Sequence, residues 1–314
     1  MNFFERALEL AERGRGKTGD HPLVGAVVVQ DGEIVGEGWY ELDLVRHAEV
    51  AALEQAGERA RGATLYITLE PCSHHGRTPP CADAVVEAGV ARVVVGARDP
   101  NPVVDGQGIA RLQEAGIAVE LLDDLVARRQ NEAWRVWKAR GRPFVTYKAA
   151  LTLDGRVTVP GRRWISGEES RRRVHELRAA SDAVAVGMGT VRVDSPRLDA
   201  RDVDALRQPR RLAFGRGPLP KGSELELRSG PLDEELRALA ADGVQSLLLE
   251  GGPTLATAFV EAGLVDKVLF FVAPVLAGAG TPVLGELTRP LELLHLRSEP
   301  SGEDVLVEAY LHEP

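Results

Sequence analysis

Thr68-Leu69-Glu70-Pro71-Cys72-Ser73-His74-His75-Gly76-Arg77-Thr78-Pro79-Pro80-Cys81 carries both cysteines of this 314-residue chain, and His47-Ala48-Glu49 stands upstream of it. One imidazole and two thiolates make three metal ligands: His47, Cys72 and Cys81. A tetrahedral zinc held by three protein groups keeps its fourth position for water, the mark of a catalytic rather than a structural site. Glu49 lies two positions from a ligand and is not needed as one. A carboxylate so placed can take a proton from the activated water and hand it to a leaving amine. Glu49 is therefore the candidate catalytic residue, and the set points to hydrolytic deamination.

The flanking sequence places these residues on elements. Thr64 to Thr68 reads as a short buried strand, so Cys72 follows at a carboxyl end of a sheet, where α/β sites collect. Thr78-Pro79-Pro80-Cys81 predicts a helix start with Thr78 as N-cap and Cys81 in the first turn, where the helix dipole favours thiolate. His47 opens a helix over 47–56 that Gly57 stops.

Further out, the periodicity predicts a helix over 2–13, a hairpin of Val24 to Val29 and Glu33 to Gly38 around Asp31-Gly32, and a helix over 79–88. A strand from Arg92 to Gly96, a helix over 108–115, a strand over 117–121 and one long helix over 123–139 follow. Strands alternating with helices after an initial hairpin imply a three-layer α/β sandwich, partly parallel.

The polar run Ala139-Arg140-Gly141-Arg142-Pro143 reads as a domain boundary. A first domain is expected over 1–141 and a second α/β domain over 142–314. The strands expected in the second are 144–151, 183–187, 210–214, 246–250 and 267–273, with helices over 167–180 and 254–262. Two of these strands deliver glycine turns, Gly187-Met188-Gly189-Thr190 and Gly251-Gly252-Pro253-Thr254. Glycines let backbone amides approach a phosphate, and a helix N-terminus favours its charge. Neither turn is the dinucleotide fingerprint Gly-x-Gly-x-x-Gly, and taken alone each is equally a plain strand-to-helix connection.

Composition narrows the partners. The net charge of −9 counts against a protein that grips a phosphate backbone, so a small-molecule substrate is expected and nucleic acid is not. Hydrophobic content of 44% is ample for two ordinary cores. Two cysteines imply no disulfide framework, and the absence of an apolar stretch near membrane-spanning length implies no membrane partner. A soluble, cytoplasmic protein is the expectation.

The spacing of the cysteines carries a resemblance. Cytidine-type deaminases have two residues between their cysteines, whereas eight stand here. The stretch Thr68 to Cys81, with its inserted Ser-His-His-Gly-Arg-Thr, resembles the N-terminal half of the bifunctional riboflavin-biosynthesis deaminase/reductase family. Asp99-Pro100-Asn101-Pro102 and Gly106-Gln107-Gly108 are similar to that family as well, and are expected to shape a nearby loop. Lys148, Leu153-Asp154-Gly155-Arg156, Trp164-Ile165-Ser166, Asp194-Ser195-Pro196 and Glu250-Gly251-Gly252-Pro253-Thr254 resemble its reductase half.

The resemblance implies a cytidine-deaminase-like first domain, a dihydrofolate-reductase-like second domain, Zn2+ and NADPH as cofactors, and a homo-oligomer, dimer or tetramer. It implies zinc deamination of a phosphorylated diaminopyrimidinone, followed by NADPH reduction of its ribosyl group. By matching position, Ala150, Trp164, Thr190, Asp194 and the run Gly252, Pro253, Thr254, Leu255, Ala256, Thr257 and Ala258 would border NADPH. His74, Arg77, Lys148, Arg162, Arg178, Leu198, Arg201 and Glu250 would border substrate, the arginines suiting its phosphate.

The chain departs from the family in four places: the segment between Pro160 and Trp164, which carries Arg162, is short, and the region 203–245 is compact, while two further departures are of residue type. Asp20-His21-Pro22 stands where the family has Pro-Asn-Pro, and Phe214-Gly215-Arg216 replaces a strand ending in a polar residue near the cofactor. Two other readings stay open at this point: a deaminase whose C-terminal domain is non-catalytic, and a zinc deaminase acting on nucleic-acid bases.

Overall fold

Ala7, Leu10 and Ala11 form the buried stripe of the first helix, α1 (Phe3–Glu12), whose N-cap Asn2 accepts the Phe4 N–H at 3.1 Å. The stripe packs on the strand β1 (Gly25–Gln30) at Gly25, where a Cβ would stand 2.0 Å from the Ala7 carbonyl oxygen. The computed structural model describes residues 2–76 and 78–314, and the chain divides into two compact units between Arg140 and Gly141.

In the first unit β1 turns through Asp31 and Gly32, both at positive φ, into the antiparallel β2 (Glu33–Trp39). α2 (Ala48–Ala56) follows. On its other side β1 pairs antiparallel with β3 (Thr64–Leu69). α3 (Cys81–Glu87), β4 (Arg92–Ala97), α4 (Gln107–Glu114) and β5 (Ala118–Leu121) extend the sheet in parallel, giving the order β2-β1-β3-β4-β5.

Alternation along β1 builds two cores. Ala26 and Val28 join Ala48, Ala52, Ala82, Val85 and Leu112 from α2, α3 and α4. Val27 and Val29 join Ala7 and Leu10 from α1 on the opposite face. This period-two division is what produces a three-layer sandwich.

One expectation is corrected here. The helix predicted over 123–139 is two helices, α5 (Leu125–Gln130) and α6 (Glu132–Arg140). Between them Asn131 is buried and turned to Leu23, whose backbone N–H and C=O it satisfies at 2.8 Å each.

The second unit runs β6 (Phe144–Thr152), α7 (Glu168–Ala180), β7 (Ala183–Gly187), α8 (Met188–Asp194), β8 (Arg210–Phe214), β9 (Glu226–Arg228), α9 (Leu232–Ala241), β10 (Ser246–Leu249), α10 (Pro253–Glu261), β11 (Lys267–Ala273), β12 (Leu294–Ser301) and β13 (Asp304–Tyr310). The sheet order is β12-β13-β11-β6-β10-β7-β8-β9. β9 through β11 are mutually parallel, and β13 and β12 close that side antiparallel. β6 lies inside the sheet with Tyr147, Ala149 and Leu151 in the core, alongside Phe259 of α10 and Leu236 of α9. Helices and strands absent from the sequence reading are α8, β9, α9 and the β12–β13 pair.

Candidate functional sites

His47 is the N-cap of α2, Cys72 follows β3, and Cys81 is the first residue of α3. His47 Nδ1 lies 2.9 Å from Cys81 Sγ and 3.8 Å from Cys72 Sγ, and the three donor atoms all lie within 4.8 Å of one another. Ligands on a tetrahedral zinc stand about 3.6–3.8 Å apart at ordinary Zn–N and Zn–S lengths, so the donor set suits that ion, with His47 and Cys81 parting by about 0.7 Å to receive it. The Cys81 N–H points at Cys72 Sγ at 3.2 Å, as the free amide of a helix start can. Hydrogen bonding from Cys81 holds the Cys72 thiol well below its ordinary value, with His47 adding to it; the same contact and burial push Cys81 up.

Thr78 does not cap α3; Pro80 holds that position. The Thr78 hydroxyl instead stands 3.4 Å from His47 Nε2, an outer contact that turns Nδ1 toward the sulfurs. Glu49, in the first turn of α2, is 3% exposed, and that burial pushes its carboxyl up to about 7. A carboxyl near neutrality can both accept and return a proton.

A cavity of about 350 Å³ opens beside these residues. His74 lines it; Arg77 lies outside the described residues. Tyr40, Asn101, Trp134 and Lys138 also line it, and sequence reasoning assigned none of them a role in the site. Asn101 had a signal, since Asp99-Pro100-Asn101-Pro102 was expected near the site. The loop is held by Glu70, a buried carboxylate that accepts N–H groups from Asp99 (3.3 Å), Gly106 (3.0 Å) and Ile109 (3.1 Å). Gly108 is required there because a Cβ would meet the Pro71 carbonyl oxygen at 1.9 Å.

In the second unit Lys148, Ala150, Trp164, Arg178, Arg201 and Glu250 line one cleft of about 510 Å³. Arg178 and Lys148 close on Glu250; burial alone would raise its carboxyl, but the two cations outweigh it and hold it down to about 2. Thr190, Gly252, Pro253, Thr254, Leu255 and Ala258 line a groove of about 650 Å³. Both glycine turns feed this groove, where α8 and α10 begin, and the unbonded N–H groups of the α10 N-terminus suit an anionic cofactor.

The remaining residues lie elsewhere. Asp194 is exposed at the last position of α8, and Arg162 is exposed beside a bridge to Val159. Leu198 is 3% exposed, in a cluster with Val184 and Val186. Ala256 is fully buried in the core, and Thr257 Oγ1 accepts the Gly285 N–H.

Residues 1–97 match the family model described as the cytidine and deoxycytidylate deaminase zinc-binding region, and residues 143–307 match the RibD C-terminal domain. The riboflavin biosynthesis protein RibD of Aquifex aeolicus is 38% identical, over 98% of this chain and 97% of that one. That of Mycobacterium tuberculosis is 41% identical, over 96% and 94%. The chain belongs to the RibD family.

Solved RibD-family structures agree. Acinetobacter baumannii RibD superposes with a TM-score of 0.84 at 35% identity, covering 98% of this chain and 97% of that one. A Thermotoga maritima protein described as a diaminohydroxyphosphoribosylaminopyrimidine deaminase/5-amino-6-(5-phosphoribosylamino)uracil reductase gives 0.83 at 34% identity, with the same coverage. As a RibD-family member the chain is a bifunctional deaminase and reductase of riboflavin biosynthesis, with a zinc-binding deaminase unit and a reductase unit that uses a nicotinamide cofactor. A non-catalytic second half and a nucleic-acid base deaminase are both set aside. No helix among the described residues is long and apolar enough to cross a membrane.

Proposed function

We propose that the first unit replaces the 2-amino group of 2,5-diamino-6-(ribosylamino)pyrimidin-4-one 5′-phosphate by oxygen, and that the second reduces the ribosyl group of the product with NADPH to give 5-amino-6-(ribitylamino)uracil 5′-phosphate. The observation that carries the first step is Glu49, buried two residues from His47 and beside the cavity. His47, Cys72 and Cys81 would hold zinc, which would supply an activated water. Glu49 takes the proton of that water and delivers it to the departing amine. His74 and Arg77 belong to the insert that would read the substrate.

For the second step NADPH, when bound, would supply the hydride for C1′ of the opened ribose. Lys148, Arg178, Arg201 and Glu250 hold the substrate, with the arginines on its phosphate; Arg162 and Leu198 are assigned to the same substrate by position. Thr190 and the run Gly252 to Ala258 bind the cofactor, together with Ala150, Trp164 and Asp194. Exposed apolar Leu294, Leu296 and Val305 on β12 and β13 support a homo-oligomer, dimer or tetramer. Two free cysteines poised for metal favour the reducing cytoplasm.

The deciding experiment is an ammonia-release assay on the diaminopyrimidinone phosphate with metal analysis, followed by NADPH absorbance loss on the deaminated product. Ammonia release without nicotinamide oxidation under any condition would remove the second half of the proposal.

A further inference from the structure

The deaminase cavity is lined by four carboxylic residues, Asp20, Glu49, Glu70 and Asp99, and a phosphorylated substrate must enter it. Two of the four are occupied. Glu70 takes three backbone N–H groups, and Asp99 accepts the Trp134 indole N–H at 3.1 Å. Among the described residues, Lys138 is the one lysine or arginine on the cavity wall.

Its position is built by α6. Trp134 and Lys138 stand four residues apart on one face of that helix. The Lys138 ammonium lies 4.5 Å from the Trp134 ring centre and 3.8 Å from that of Trp137, so two π faces fix it. No described residue hydrogen-bonds or ion-pairs with the Lys138 ammonium. Asp20 and Asp99 act on it only through space. An aromatic wall leads away from the metal ligands, His47 to Tyr40 at 5.6 Å and Tyr40 to His21 at 4.8 Å between ring centres, and His21 adjoins Asp20. The ammonium thus shares the cavity wall with Asp20 and Asp99, and its contacts there are the two tryptophan rings.

We propose that Lys138 is a specificity-determining residue of the deaminase step, a cation that receives the 5′-phosphate of the substrate in addition to the Arg77 that the insert brings to it. The proposal rests on the deamination reading above. A phosphate oxygen supplies what the ammonium lacks, an anionic acceptor for its three donors, while the reacting ring extends along the aromatic wall toward Glu49. A lysine suits this role as a compact point charge, its ammonium resting on two tryptophan rings.

The test uses the full-length, zinc-loaded protein and compares the phosphorylated substrate with its dephosphorylated ribonucleoside. Lys138→Met keeps an unbranched apolar side chain and removes the charge; Lys138→Arg keeps the charge. Wild type is expected to prefer the phosphorylated substrate. Lys138→Met should raise KM for that substrate roughly tenfold to a hundredfold with kcat little changed, leave the ribonucleoside unaffected, and be largely restored by arginine. An equal loss on both substrates, or on neither, overturns the proposal. So does a wild type indifferent to the phosphate, which leaves the deamination reading standing; ammonia from neither substrate removes both.

Discussion

Arg178 grips Glu250 with two hydrogen bonds, Nε to Oε1 at 2.6 Å and Nη2 to Oε2 at 3.0 Å, while Lys148 approaches the same Oε2 at 3.4 Å. A carboxylate held down to about 2 by two cations contributes stability that is complete above its unfolded value of about 4.3. That contribution is lost as pH falls through the interval between the two values. Thermal denaturation between about pH 5 and pH 3 should therefore show a steeper loss of Tm in wild type than in Glu250→Gln. The variant should also start lower, because Lys148 and Arg178 are left partly buried and unneutralised, and should lose NADPH-dependent reduction. Parallel pH slopes for the two proteins would contradict this account.

Glu49→Gln separates proton transfer from metal binding. The amide keeps the shape of the side chain, and none of the three donor atoms is touched. Zinc content should stay at the wild-type level, while ammonia release falls by roughly a hundredfold to ten-thousandfold. Undiminished ammonia release would mean that another group carries the proton.

Cys72→Ser tests the metal itself. A hydroxyl is a poor substitute for a thiolate on zinc, so metal content and ammonia release should fall together. NADPH oxidation with the deaminated intermediate should persist, because every residue assigned to reduction lies between Gly141 and Glu313. Loss of both activities in a protein that still melts cooperatively would break that separation.

The clustering of His47, Cys72 and Cys81 was legible because their residue types carry the chemistry and punctuation places them. His47 opens a helix, Cys72 follows a strand, and Cys81 begins a helix after two prolines. The five principal strands of the second half were legible as apolar runs, two of them delivering glycine turns. Thr78 was misread because a threonine before Pro-Pro is an ordinary cap pattern, and only the fold brings its hydroxyl to His47. Trp134 and Lys138 look like any residues on an amphipathic helix until the cavity is seen. β12 left almost no signal, since Leu294-His295-Leu296-Arg297-Ser298-Glu299-Pro300-Ser301 is largely exposed and contains a proline.

The break at Asn131 was illegible for a different reason: its partner lies 108 residues away. The Asn131 amide accepts the Leu23 N–H and donates to the Leu23 carbonyl, tying the turn between α5 and α6 to the segment that carries His21 and Pro22 into the cavity. Both protein surfaces there are buried, so Asn131→Ala would strand two backbone groups. The expected cost is about 2–4 kcal/mol, seen as a lower midpoint in chemical denaturation. Release of this tie also frees the start of α6, and with it the placement of Trp134 and Lys138. The same variant should therefore raise KM for the deaminase step while leaving reduction unchanged. A destabilised protein whose deaminase KM is unaltered would show that the tie serves folding alone.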